Sequence, residues 1–519
     1  MPREARSPER PAWFHSGWRV FLGGVLLCGC ARRDVDAVRA PLPGHPPHVA
    51  ARLGTHIPRL TGKERLDFNA RVAADLKRIE VEVCPSGFRI ERLNAPSPES
   101  ERLLEGGGVM TPQGVFPYLG EGVDLPRSQP DQCLHYAVNL PEKVADLSGM
   151  RRVGADLLLT PDLWLWVPSP RPEGVAMRVH FTLPAGLVAL LPWQEALPET
   201  AFAWKSAGAF SHTAPTSLLV AGGELSLAVL GDGFGQQAGA VRDWITEGAR
   251  AANLLFDHFP VPHALVIAVP RDHAGPGFGM ALRGGGPAVV ILLDRHTNAA
   301  SLVDDWTATN EFLHLGVPRL PLEDAWLFEG LASYYTEVVR ARAGIISPAR
   351  AYQHLLDGFA RGRRTGGSLS LREESSQMHD RHSFYRVYWA GAALAFLTDV
   401  EARRAGGPTL DAALRSFAQC CAASEDEWTA ERVLAHLDQS LGAPRFTERA
   451  RRWLDRPDFP EVDGALRALG VAAGTRGQAV FGYAPNAAIR DAIMARAGLP
   501  SSLAPAAAAN GGSPTEPQR

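Results

Sequence analysis

Residues 306–340, WTATNEFLHLGVPRLPLEDAWLFEGLASYYTEVVR, decide how the rest of the chain is read. The first part, TATNEFLHL, reads as a helix, and Gly316 and Pro318 then interrupt it. The second part, EDAWLFEGLASYYTEVVR, resumes a helical pattern with Glu329 early in it. Each helical residue turns about 100°, so side chains four apart share a face, one turn on. Asn310 and His314 therefore project together, with Glu311 beside them. Two polar groups on one face, an acid at their side and a second acid on the next helix form a candidate metal-binding constellation.

NEFLHL followed by AWLFEGLASYY resembles the gluzincin metallopeptidases, especially the glycyl aminopeptidase family and its aminopeptidase N relatives. Those families carry H-E-x-x-H, then W-L-x-E-G-x-A-x-Y-Y, whose Glu is the third zinc ligand. The resemblance implies that Asn310, His314 and Glu329 occupy the metal-ligand positions and that Glu311 is the general base. It also implies that RVYWAGAALAF holds the family's Y-x-K-G-A-L helix start, which assigns stabilisation of the tetrahedral intermediate to Tyr388. The agreement at Trp326, Glu329, Gly330, Tyr334, Tyr335 and Tyr388 goes well beyond the E-x-x-H of Glu311 and His314, which recurs by chance.

Three departures bear on activity. Asn310 stands where the first zinc histidine belongs, and Ala390 replaces the lysine after the tyrosine. Fourteen residues separate His314 from Glu329, a shorter spacing than in aminopeptidase N relatives. An amide oxygen is a neutral, hard donor, better suited to Ca²⁺ or Mg²⁺ than to Zn²⁺. Without metal the water pKa returns by roughly nine units, about 12 kcal/mol at 1.36 per unit. A lone glutamate cannot supply that. Two readings follow: a zinc metallopeptidase with a weakened metal site, or an inactive pseudopeptidase binding peptides or a partner protein in the same cleft.

The fold class expected from pattern and resemblance together is multidomain α+β. An N-terminal β domain precedes a thermolysin-like catalytic domain of small sheet plus helices, and the C-terminal part is helical. Hydrophobic content of 45% and charge of 21% exclude wholesale disorder in 519 residues. A net charge of −3 with no basic block argues against nucleic acid as a partner.

Arg3, Arg6, Arg10 and Arg19 precede the apolar run VFLGGVLLC, as in an export signal. The run ends in Leu27-Cys28-Gly29-Cys30, which resembles a bacterial lipobox. This points to lipidation of Cys30 and a lipid-anchored protein of the cell envelope, with a plain secretory signal or a cytosolic chain as the alternatives. Residues 31–61 then read as a Pro- and Arg-rich linker. Export favours persistent disulfides. Cys84 and Cys133 fall in strand-like stretches of one domain, and a bridge there contributes about 4 kcal/mol in the chain-entropy account. Cys420 and Cys421, neighbours on a helix that point apart, read as buried thiols, not as a bonded pair.

Residues 62–232 alternate as strands, among them RIEVEVC and DLLLTPDLWLWVP, where Trp164 and Trp166 read as core residues of a strand. Residues 233–450 form the catalytic domain with its helical subdomain, 451–500 a small C-terminal segment and 501–519 a low-complexity tail. Within the catalytic domain, RDHAGPGFGMALRGGG reads as irregular. The resemblance assigns its glycines Gly284, Gly285 and Gly286, with Ala288 opening the next strand, to the edge that pairs with substrate backbone. GGSLSLREESSQMHDRHSF, 366–384, reads as a polar loop ending near Tyr388.

Overall fold

The computed structural model describes residues 64–496 apart from 121, 143–148, 273–274 and 476. The signal with Cys28 and Cys30, the linker and the 501–519 tail lie outside the described residues. Two compact units make up the chain. Among the described residues, one comprises 64–246 with 261–315 and 423–426; the other comprises 247–260, 316–422 and 427–496. Among the described residues no helix is long and apolar enough to cross a membrane.

The first unit opens with a six-stranded sheet centred on the hairpin Arg65–Val72 and Arg78–Ser86. Alternation decides its faces: Leu66, Phe68, Ala70 and Val72 point inward between exposed or half-buried polar residues. Ala176–Thr182 adds in parallel to the first strand, a pairing between segments more than 100 residues apart in the chain. Cys84 and Cys133 are joined by a disulfide with Cα atoms 4.2 Å apart. Trp164 and Trp166 are fully buried, as a core role requires, but they follow a short 3₁₀ turn instead of lying in a strand. The Tyr136 hydroxyl donates to the Trp164 carbonyl and accepts from the Trp166 amide, so this irregular backbone is satisfied by a side chain.

The same unit contains a five-stranded sheet of β1 (Thr216–Val220), β2 (Gly223–Val229), β3 (His263–Arg271), β4 (Phe278–Leu282) and β5 (Ala288–Asp294), in the order β1-β2-β3-β5-β4. The β1–β2 hairpin belongs to this sheet, which therefore begins before residue 233. The β2–β3 and β3–β5 pairs are parallel and the outer pairs antiparallel. Parallel strands need a crossover, which between β2 and β3 is the helix α1 (Ala238–Phe256). Along β3 and β5, consecutive residues such as Val266, Ile267 and Ala268 are all buried, as a sheet covered on both faces demands.

Two expectations fail here. Residues 278–282 are not irregular: antiparallel pairing with β5, Met280 opposite Val290, supplies the backbone partners that local sequence does not advertise. Nor is Ala288–Leu292 an edge. It lies between β3 and β4, and the terminal strand on that side is β4.

The second unit is helical apart from the short strand pair Val471–Ala472 and Val480–Phe481. It contains α3 (Ala325–Ala343), α4 (Pro348–Arg364), α5 (Phe384–Arg404), α6 (Leu410–Cys421), α7 (Ala430–Leu441) and α8 (Arg445–Trp453); α2 (Thr307–His314) belongs to the first unit. Ser347, Thr409 and Thr429 cap α4, α6 and α7 through their hydroxyls. The segment expected as a polar loop contains the helices Leu371–Ser376 and Met378–Arg381. The first is started by a reciprocal capping box of Ser370 and Glu373, a signal present in the sequence but hidden by its polarity. Cys420 and Cys421 are bonded to each other rather than being separate thiols. They occupy the last turn of α6, with Cα atoms 3.7 Å apart, Cys420 exposed and Cys421 buried.

Candidate functional site

In the first unit, α2 runs under the sheet with all eight of its residues buried, Asn310, Glu311 and His314 among them. Burying three polar side chains on one short helix is costly unless they are used together. Asp305 fixes where α2 begins: its carboxylate accepts from Thr307 N at 2.9 Å and from Gly277 N at 2.5 Å, just ahead of β4. The Trp244 indole donates to the Asp305 carbonyl at 3.1 Å. The other end is held by Arg283, which donates to the carbonyls of His314 and Leu315 at 3.2 and 2.8 Å. A cation there also complements the helix dipole. Burial pushes the Arg283 guanidinium down to about 10, which leaves it charged at neutral pH.

Glu311 lies directly against β4. A Cβ built on Gly279 would stand 2.7 Å from both Glu311 Cδ and Oε1. Only glycine lets the carboxylate lie on this strand, so Gly279 positions the candidate base. No reading of local sequence singles it out among so many nearby glycines. Gly284, Gly285 and Gly286 are used differently. Their missing side chains make room for Trp204 and Lys205 backbone, for the Trp193 ring and for Pro192, respectively. These glycines are packing points against 192–205, and Ala288 is an interior strand residue. The strand that ends the sheet on this side is β4.

The second unit holds Glu329 on α3 and Tyr388 on α5, both half-buried. Their helices cross at a glycine pair. A Cβ on Gly391 would meet Gly330 Cα and the Trp326 carbonyl carbon at 2.9 Å, and the Trp326 oxygen closer still. The glycine after Glu329 and the one three places after Tyr388 are thus explained by backbone approach, which carries both side chains on one tightly packed helix pair.

The Tyr388 ring meets Phe384 edge-on with centroids 6.4 Å apart, and Phe384 meets His379 at 5.5 Å. Burial pushes the His379 imidazole below its ordinary value, against the opposing charge of Glu329. His379 therefore belongs to the surroundings of Glu329, a placement that the reading of 366–384 as a loop missed.

The rest of α3 is anchored by buried charge. Tyr334 donates to Asp399, Tyr335 to Asp411, and Arg342 and Arg403 both bind Asp411 at 2.8 Å. The Tyr334–Tyr335 pair, legible as motif, is thus structural.

With this geometry in hand, the comparisons define a class by fold. The chain is similar to an aminopeptidase N family protein from Idiomarina loihiensis, at 14% identity with 78% of each chain covered and a TM-score of 0.61. It is also similar to an M1 zinc metallopeptidase from Deinococcus radiodurans, at 14% identity, covering 77% of this chain and 94% of that one, with a TM-score of 0.49. The first likeness establishes an aminopeptidase N-like α+β fold. More narrowly, residues 320–393 match the M61 glycyl aminopeptidase family, a segment that contains Glu329, Tyr388 and both crossing glycines. No curated protein matches the chain.

Proposed function

We propose that the chain is a metallopeptidase-type peptide hydrolase, exported and held at a bacterial membrane by acyl chains on Cys30, with Glu311 as its general base. The observation that carries this is the burial of Asn310, Glu311 and His314 on one helix, with the Glu311 carboxylate laid on the terminal strand β4. The donor chemistry suits a divalent cation. The His314 imidazole and the Glu329 carboxylate are zinc-type ligands, and Asn310 contributes a neutral amide oxygen.

These three side chains would hold zinc more weakly than a set with a second imidazole. Bound zinc would lower the pKa of water from 15.7 to about 7 and polarise the scissile carbonyl. Glu311 accepts the proton of the attacking water and returns it to the leaving amine. The Tyr388 hydroxyl donates a hydrogen bond to the oxygen that becomes negative. A peptide extended along β4 joins the sheet as a further strand, which aligns its backbone.

Asn310 favours a second reading, in which the same groups hold peptides or a partner protein without cleaving them. Asn310→His separates the two. It should raise zinc content towards one per chain and give measurable hydrolysis of a peptide mixture. Adding Glu311→Gln should abolish that rate with the metal retained. If Asn310→His binds no more zinc than wild type, the three positions do not converge and the metallopeptidase reading fails. Stoichiometric zinc and turnover in the wild type would remove the pseudopeptidase reading instead.

A further inference from the structure

The last turn of α6 and the middle of α7 bring together a second group of ligand-type side chains. The Cys420 and Cys421 sulfurs and a ring nitrogen of His436 all lie within 4.8 Å of one another. His436 is held in place by aromatic packing. Its ring meets Trp428 at 5.3 Å and Phe417 at 6.0 Å, and those two rings meet each other edge-on at 5.5 Å. Arg432 stacks over the outer side of Trp428 at 3.5 Å and closes that wall. Cys421 is buried, His436 half-buried and Cys420 exposed, so solvent reaches the group at Cys420. In this structure the two sulfurs are bonded to each other.

From this arrangement we infer a redox-gated site for a thiophilic d¹⁰ cation such as Zn²⁺ or Cu⁺, held by Cys420, Cys421 and His436 with a water in the fourth position. Two sulfurs and one imidazole with an open fourth position form a recognised zinc donor set, and soft thiolates select Zn and Cu⁺ over Mg²⁺ or Ca²⁺. Tetrahedral coordination with metal–sulfur bonds near 2.3 Å and metal–nitrogen bonds near 2.0 Å places donors roughly 3.5–3.8 Å apart. Modest rotation of the exposed Cys420 side chain reaches that spacing.

The gate is the disulfide. A dithiol reductant gives two electrons and two protons to the Cys420–Cys421 bond and leaves as its own disulfide. The cation then displaces the two thiol protons. A small-molecule disulfide takes two electrons back from the two thiolates and leaves as two thiols, which rejoins the sulfurs and releases the cation. None of the residues assigned to peptide hydrolysis takes part.

The test uses the full chain reduced with a phosphine and titrated with Cd²⁺. The ultraviolet sulfur-to-cadmium charge-transfer band reports thiolate ligands alone, and so ignores cation bound at His314 or Glu329. The wild type should develop the band with a tight one-equivalent phase, absent from the oxidised protein. Cys420→Ser, at an exposed position, and Cys421→Ser should each remove that phase. His436→Ala should keep a band but weaken binding by more than about tenfold, the scale at which lost support around a metal is felt. The other four cysteines are common to every variant and cancel in the comparison. A titration of Cys420→Ser that matches wild type would overturn the site, and so would unchanged affinity in His436→Ala.

Discussion

Gly391→Ala tests whether the helix crossing organises the candidate site. The new methyl would sit 2.9 Å from Gly330 Cα and from the Trp326 carbonyl carbon. Carbon–carbon contact needs roughly 3.5 Å, so each contact is about 0.6 Å short, and the Trp326 oxygen is nearer still. The obstructing atoms are backbone of α3, which cannot swing aside like a side-chain tip. The two helices must separate along their length, through a core that includes the fully buried Trp326, Ala392 and Leu394. Overpacking of this kind costs about 1–3 kcal/mol, and backbone-on-backbone contact puts this case near 3. For a unit of roughly 200 residues, each kcal/mol lowers the melting temperature by about 2–4 °C, giving a fall of about 6–12 °C. Catalysis should suffer more than stability. Moving Glu329 and Tyr388 by about 1 Å costs on the order of 10²-fold in rate. Calorimetry reads the first quantity, and peptide hydrolysis in the Asn310→His background reads the second. Gly239→Ala, which meets nothing within 4 Å, is the control. An unchanged melting temperature in Gly391→Ala would refute the crossing as the reason for these glycines.

In the Asn310→His background, Gly279→Ala should displace the Glu311 carboxylate from β4 and lower kcat by on the order of 10²-fold at unchanged metal content; equal kcat would detach Glu311 from catalysis. Asp156, buried, accepts from Ser211 Oγ and from the amides of His212 and Gly231 at 2.8–2.9 Å. Burial works against its charge, yet these hydrogen bonds and the His212 ring hold its carboxyl below the ordinary carboxylate value. The depressed folded pKa means that its stabilisation is present above about pH 4 and is lost on further acidification. Asp156→Asn should therefore be less stable at pH 7 and show a shallower acid limb in urea melts from pH 7 to 2; a parallel limb would reject the assignment. Cys30→Ala should abolish labelling by a palmitate analogue, and equal labelling of both proteins would sink the lipid anchor.

The local order of residues was enough to find α2, α3 and the α+β class, and to single out Asn310, Glu311, His314, Glu329 and Tyr388 as candidates. These depend on periodicity and on motif residues close together in the chain, where spacing alone sets which side chains share a face. Everything that depended on distant backbone meeting backbone was invisible. Strand β4 looks irregular because its partner β5 supplies its hydrogen bonds, and that pairing rather than composition moves the sheet's edge from Ala288 to Phe278–Leu282. The glycines divide in the same way. Gly279 clears space for Glu311, Gly330 and Gly391 let two helices touch, and Gly284–Gly286 accommodate 192–205, yet in the sequence all six are the same letter. A missing side chain carries no information about what fills the space it leaves, and only the tertiary structure decides which neighbour does.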